Sequence, residues 1–107
     1  MAELNLQELK KEFDTLSTDL TNPELIAQWE KFQKISKRRS LVEKTIKAIE
    51  QLEDVKNQIE ENRQLLSSPE DDELSSMAEQ ELTTLVTRQQ ELKKDIEKIY
   101  ALKYNLN

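Results

Sequence analysis

The chain has 107 residues with no glycine, no cysteine and no histidine, and only two prolines, Pro23 and Pro69. Without glycine it lacks the residue best suited to left-handed backbone positions, phosphate-cradling loops and the tightest turns. Without cysteine it has neither disulfides nor thiolate metal sites, which permits a reducing compartment. Acidic pairs such as Glu60-Glu61 and Asp71-Asp72 remain, but carboxylates on an acidic helix, with no histidine and no convergent pocket, do not make a catalytic or metal site. The chain therefore reads as a non-enzyme, with no catalytic residue, no metal and no cofactor or small-molecule ligand. Apolar runs such as Leu25-Ile26 and Leu65-Leu66 fall far short of the roughly twenty residues that span a bilayer. The first eleven residues are polar and contain Glu3 and Glu8, where a signal peptide needs a basic start and an apolar core. A soluble, cytoplasmic protein without membrane contact is expected.

What the chain does have is charge and periodicity. Charged residues make up 36% and apolar residues also 36%, with five aromatics, a balance that long-helix proteins share with disordered ones. The spacing decides for helix. Leu6, Leu9, Phe13, Leu16 and Leu20 advance by alternating steps of three and four, so all five lie on one helical face. Thr21-Asn22-Pro23-Glu24 then offers an N-cap, a proline at the first helical position and an acid for the positive helix end. From there the stripe Leu25, Trp29, Phe32, Ile35, Val42, Ile46, Ile49, Leu52, Val55, Ile59, Leu66 meets no breaker before Ser67-Ser68-Pro69. Its weak turn is Ser36 to Ser40, which has no apolar residue and leaves open whether the helix bends or splits there. Ser68-Pro69-Glu70-Asp71 repeats the cap logic. A third stripe follows through Leu74, Ala78, Leu82, Leu85, Leu92, Ile96, Ile99, Leu102 and Leu106, interrupted at Gln89.

The spacing thus predicts helices over about 3–20, 23–66 and 70–104 within a single helical domain, 1–107. Short connections fold each helix back on its predecessor. The first helix is too short to cover more than one end of the second. The expected fold is all-α: a three-helix antiparallel bundle extended by a two-helix antiparallel coiled-coil hairpin. Pairing outward from the first turn puts Trp29 beside Asp14. Phe13, Trp29, Phe32, Tyr100 and Tyr104 then gather at the bundle end as its core, where truncating a buried tryptophan costs about 3 to 5 kcal/mol.

Charge is unevenly spread. Residues 31–47 hold seven basic side chains and one acid, whereas residues 50–81 hold two basic and eleven acidic ones. Opposite Lys31 to Arg39 the pairing sets the Glu3, Glu8, Glu12 and Asp14 side of helix one, so much of the basic run is matched inside the fold. Lys37, Arg38 and Arg39 nevertheless occupy successive positions about 100° apart and cannot all face helix one. These three are the candidate contact with RNA, since neutralised phosphates dominate nucleic-acid affinity. At the far end Glu70, Asp71, Asp72 and Glu73 suit a helix N-terminus and are the candidate docking tip for a basic protein surface.

Two segments carry a family resemblance. Glu30-Lys31-Phe32-Gln33-Lys34-Ile35-Ser36-Lys37, after Asn22-Pro23-Glu24, resembles the E-R-F-R-x-L-S-K segment that follows an Asx-Pro-Glu cap in bacterial class I peptide chain release factors. Met77-Ala78-Glu79-Gln80-Glu81-Leu82 is similar to the M-A-x-x-E-L that opens their next helix. The resemblance covers about residues 5–100 and points to the N-terminal helical domain, of the release factor one type that reads UAA and UAG. It implies a noncatalytic domain of a translation termination factor that contacts the ribosome near the stalk base, close to ribosomal protein L11 and its rRNA, where release factor three can act. The resemblance carries over no individual contact residue, so Lys37, Arg38 and Arg39 stand as a candidate ribosome contact on their charge alone. The family's Gly-Gly-Gln motif is absent here, which implies an excised domain or a truncated homologue. Heptads alone equally support a free-standing coiled-coil adaptor or assembly protein, and the basic run alone a small RNA-binding hairpin.

Overall fold

The structure, a computed structural model, describes residues 5–67 and 72–104, leaving aside the side chains of 100 and 102–104. Four helices occupy nearly all of that chain, and no strand occurs among the described residues: α1 (Leu6–Asp19), α2 (Pro23–Ile26), α3 (Trp29–Ser67) and α4 (Asp72–Tyr104). The fold is all-α, a helical bundle and hairpin. Two compact units are present, Met1–Lys47 and Ala48–Leu106, and α3 supplies its first part to one and its second part to the other.

The caps show how a chain without glycine punctuates helices. Asn5 sits in extended backbone and its side chain accepts from the N–H groups of Gln7 at 2.9 Å and Glu8 at 3.2 Å, which satisfies two donors that α1 leaves open. Asn22 does the same for α2, accepting from Glu24 N–H at 3.0 Å with Pro23 in the first turn. Leu20 and Ala27 keep right-handed backbone, and Thr21 N–H bonds the Thr18 carbonyl at 3.0 Å in a tighter, three-residue turn.

In the first unit Leu9 of α1 is buried, with Phe13, Leu16 and Leu20 half-buried along the same face. The stretch 23–66, expected as one helix, is divided at Ala27-Gln28. There Gln28 N–H bonds the Leu25 carbonyl at 2.8 Å, one residue short of the α pattern, while its side-chain amide donates to the Glu24 carbonyl at 3.4 Å. Neither proline nor glycine marks this place, so composition gave no sign of it. Ser36 to Ser40, the weak turn, instead runs through as continuous helix.

That division moves the register. The separate turn of α2 lengthens the connection, and α1 meets α3 through Glu12, Phe13 and Ser17 beside Arg38 and Arg39. Trp29 therefore does not reach Asp14, and the expectation that it lies in the core is overturned: it is 62% exposed, stacked on Phe32 with centroids 5.7 Å apart and planes 15° from parallel. Tyr100 and Tyr104, expected in the same core, have side chains outside the described residues.

The second unit is an antiparallel helical hairpin. Val55 and Ile59 of α3 are buried with Leu85 and Leu92 of α4, flanked by Leu52, Leu82 and Val86. Arg88 of α4 donates to Gln51 of α3 at 3.3 Å. Spacings of three and four between 52, 55, 59 and 62, and between 78, 82, 85, 89 and 92, are those of a coiled-coil seam. Two buried side chains on α3 are polar, Thr45 in the first unit and Asn62 in the second. Each returns a hydrogen bond to its own helix, Thr45 to the Leu41 carbonyl at 2.8 Å and Asn62 to the Gln58 carbonyl at 3.0 Å, so neither donor is stranded.

Stability should therefore follow the seam and not the tryptophan. Leu92, 2% exposed, should cost about 2 to 5 kcal/mol when replaced by alanine. Trp29→Ala should cost about 1 kcal/mol or less, the value of an exposed aromatic pair. Urea unfolding followed by circular dichroism reads both as midpoint shifts.

Candidate nucleic-acid interface

The basic run lies on the first half of α3, and the fold sorts its members by direction. Arg38 turns to α1 and holds Glu12 in a two-pronged pair, Nε to Oε2 at 2.5 Å and Nη2 to Oε1 at 2.9 Å. A planar guanidinium matches a carboxylate in this way, and a lysine does not. Arg39 also faces inward. Its Nε donates to Ser17 Oγ at 2.8 Å, its guanidinium lies 4.5 Å from the centre of the Phe13 ring, and Glu43 stands 4.0 Å away. The contact with Phe13 draws the cation to the negative face of the ring. Lys47 pairs with Glu43 at 3.1 Å.

Lys37 and Lys44 point the other way. Both are exposed, and neither makes an ion pair among the described residues. Seven residues apart, they lie on nearly the same side of α3. With Ser36, Ser40 and Leu41 they line an open depression of about 310 Å³. Of the three side chains singled out in the sequence, Lys37, Arg38 and Arg39, the structure thus engages the two arginines within the fold and leaves the lysine outward. Lys44 was part of the run but was not singled out; its heptad spacing from Lys37 was the available signal.

At the other end, Glu70 and Asp71 lie outside the described residues. Asp72 and Glu73 form the first turn of α4, with Glu73 exposed and Leu74 and Met77 exposed just beyond. Among the described residues no group of three or more acidic side chains converges to hold a metal ion, and no helix is long and apolar enough to cross a membrane.

Residues 9–104 match the family model described as the PCRF domain. The chain belongs to this family. Peptide chain release factor 1 of Lactiplantibacillus plantarum is 31% identical over 91 residues, which cover 85% of this chain and 25% of that protein. The same factor from Limosilactobacillus reuteri is 29% identical over 92 residues (86% and 26%), and that of Chlorobaculum tepidum 26% over 91 residues (85% and 26%). The chain spans about a quarter of the length of these curated relatives. No solved structure matches it significantly.

The inward pair admits a direct test. Arg38 and Glu12 are 28% and 32% exposed at their side chains, so solvent screens part of their attraction. A double-mutant cycle of Arg38→Ala and Glu12→Ala should give a coupling of about 0.5 to 1 kcal/mol. The more exposed Lys47–Glu43 pair should give about 0.3 to 0.5 kcal/mol in the same measurement.

Proposed function

We propose that this chain serves as the noncatalytic N-terminal domain of a translation termination factor, acting in the cytoplasm as a single helical domain that contacts the ribosome. Membership of residues 9–104 in the PCRF domain family, with relatives named Peptide chain release factor 1, carries this reading. It also favours it over a free-standing coiled-coil adaptor, which the helices alone would suit equally well. The contact proposed is the stalk base, with protein L11 and its adjacent rRNA as neighbours and release factor three acting close by. Of the cluster Lys37, Arg38 and Arg39, the outward Lys37 would face RNA, and the acidic turn at Asp72 and Glu73 a basic protein surface. Positioning is the role: a chain with no glycine has no Gly-Gly-Gln, and it has no histidine or cysteine to serve as the commonest base or thiol nucleophile in its place.

Ribosomes programmed with a stop codon and carrying peptidyl-tRNA test both halves of the proposal. The chain should co-sediment with them at low salt yet release no peptide above a control lacking any factor. Failure to associate, or stop-codon-dependent hydrolysis by the chain alone, would overturn the reading.

A further inference from the structure

Lys31, Lys34, Lys37, Lys44, Lys56 and Arg63 of α3 are exposed and make no ion pair among the described residues, and of these Lys37 and Lys44 alone share a depression. Lys37 and Lys44 are separated by nearly two helical turns, about 10 Å along the axis. Between them on the same side is Ser40, with Ser36 at the edge, and all four border the open depression together with Leu41. The hydroxyls of Ser17, Thr18, Thr45, Thr83, Thr84 and Thr87 bond the carbonyl four residues back in their own helices. Those of Ser36 and Ser40 make no such bond among the described residues, which leaves them as donors to a ligand. No carboxylate occurs from Lys31 through Val42, although acids outnumber bases twenty-two to sixteen in the chain. By contrast Lys93, Lys94 and Lys98 of α4 are interleaved with Glu91, Asp95 and Glu97.

We propose that Lys37, Ser40 and Lys44, with Ser36 at the margin, form a phosphate-binding strip for structured RNA on the outer side of α3. The proposal deepens the ribosome-contact reading above, on which it rests, and extends the contact from Lys37 to Lys44. Arg38 and Arg39 are already held by Glu12, Ser17 and Phe13. A phosphate would have to compete with a two-pronged carboxylate for the first and strip the second from its ring. Lys37 and Lys44 give up only water. Ammonium groups bind phosphates as point charges with little demand on orientation, and neighbouring hydroxyls supply hydrogen bonds to the backbone that carry no base sequence. The strip is open and contains one apolar side chain, Leu41. It therefore suits a polyanionic ridge better than a protein surface, whose contact needs a larger apolar centre.

The test compares the parent chain with K37E/K44E and with K93E/K94E, a control carrying the same charge change on exposed positions of α4. Each is titrated against a fluorescently labelled RNA hairpin across a range of potassium chloride. The strip variant should bind about tenfold or more weakly at low salt, and its dependence of log affinity on log salt should be shallower by about two, one for each phosphate no longer neutralised. K93E/K94E should stay within about threefold of the parent, and the helical circular dichroism of all three should coincide.

Equal weakening in both double variants would show that only net charge matters and would overturn the proposal. So would absence of RNA binding by the parent, or binding of an acidic peptide or of anionic vesicles, and not of RNA, that depends on Lys37 and Lys44. Ribosome co-sedimentation of the same proteins separates the two claims. A chain that binds ribosomes equally with and without Lys37 and Lys44 retires the strip and keeps the domain assignment. RNA binding through the strip without ribosome association does the reverse.

Discussion

The structure rests on apolar seams between helices, to which part-exposed contacts such as Arg38–Glu12 and Arg39–Phe13 add less. There is no disulfide, and helices in water gain most of their stability from a packed face and little from propensity. The seam is narrow. Val55, Ile59, Leu85 and Leu92 form its buried cluster in the hairpin, and Leu9 and Val42 are the buried apolar side chains of α1 and of the first part of α3. At about 1.5 to 3 kcal/mol for each large side chain fully withdrawn from water, a few such residues decide whether the helices pair. The exposed apolar side chains Ile26, Trp29, Leu65, Leu74 and Met77 contribute far less.

The seam tolerates polar residues only on strict terms. Thr45 and Asn62 are buried, and a buried donor without a partner costs about 1 to 3 kcal/mol. Both escape that cost by returning the hydrogen bond to a carbonyl four residues earlier, and no buried side-chain nitrogen or oxygen is left unpaired among the described residues. Because the partner lies on the same helix, the bond survives whatever the neighbouring helix does. A seam position filled in this way adds little attraction but does not oppose packing.

Charge is divided along the same lines. On the inward side of α3 the arginines carry the contacts, where a planar fork can meet a carboxylate and lie over a ring at once. On the outward side stand lysines, whose compact charge is readily kept in water. The run 31–47 is therefore two surfaces in one stretch of sequence, a clamp on α1 and a solvated cationic face. Family membership supplies the setting in which that face is to be tested, since relatives of this domain are named as peptide chain release factors.

Features that depend on local chemistry were legible from the residues alone. The cap at Asn22 and Pro23, the heptad stripes of α3 and α4 and the family motifs are each written in residues a few positions apart. Register was not legible in this way and emerged only from the packing of whole helices. Nothing in Ala27-Gln28 announces that α2 closes there, since the cause is a choice between the Leu25 and Glu24 carbonyls that no residue type dictates. That choice lengthens the first connection, carries Trp29 out of the core and brings Arg38 to Glu12. Burial and ion pairing depend on which residues of two helices come level, and a shift of one turn changes every partner while leaving both helical patterns intact.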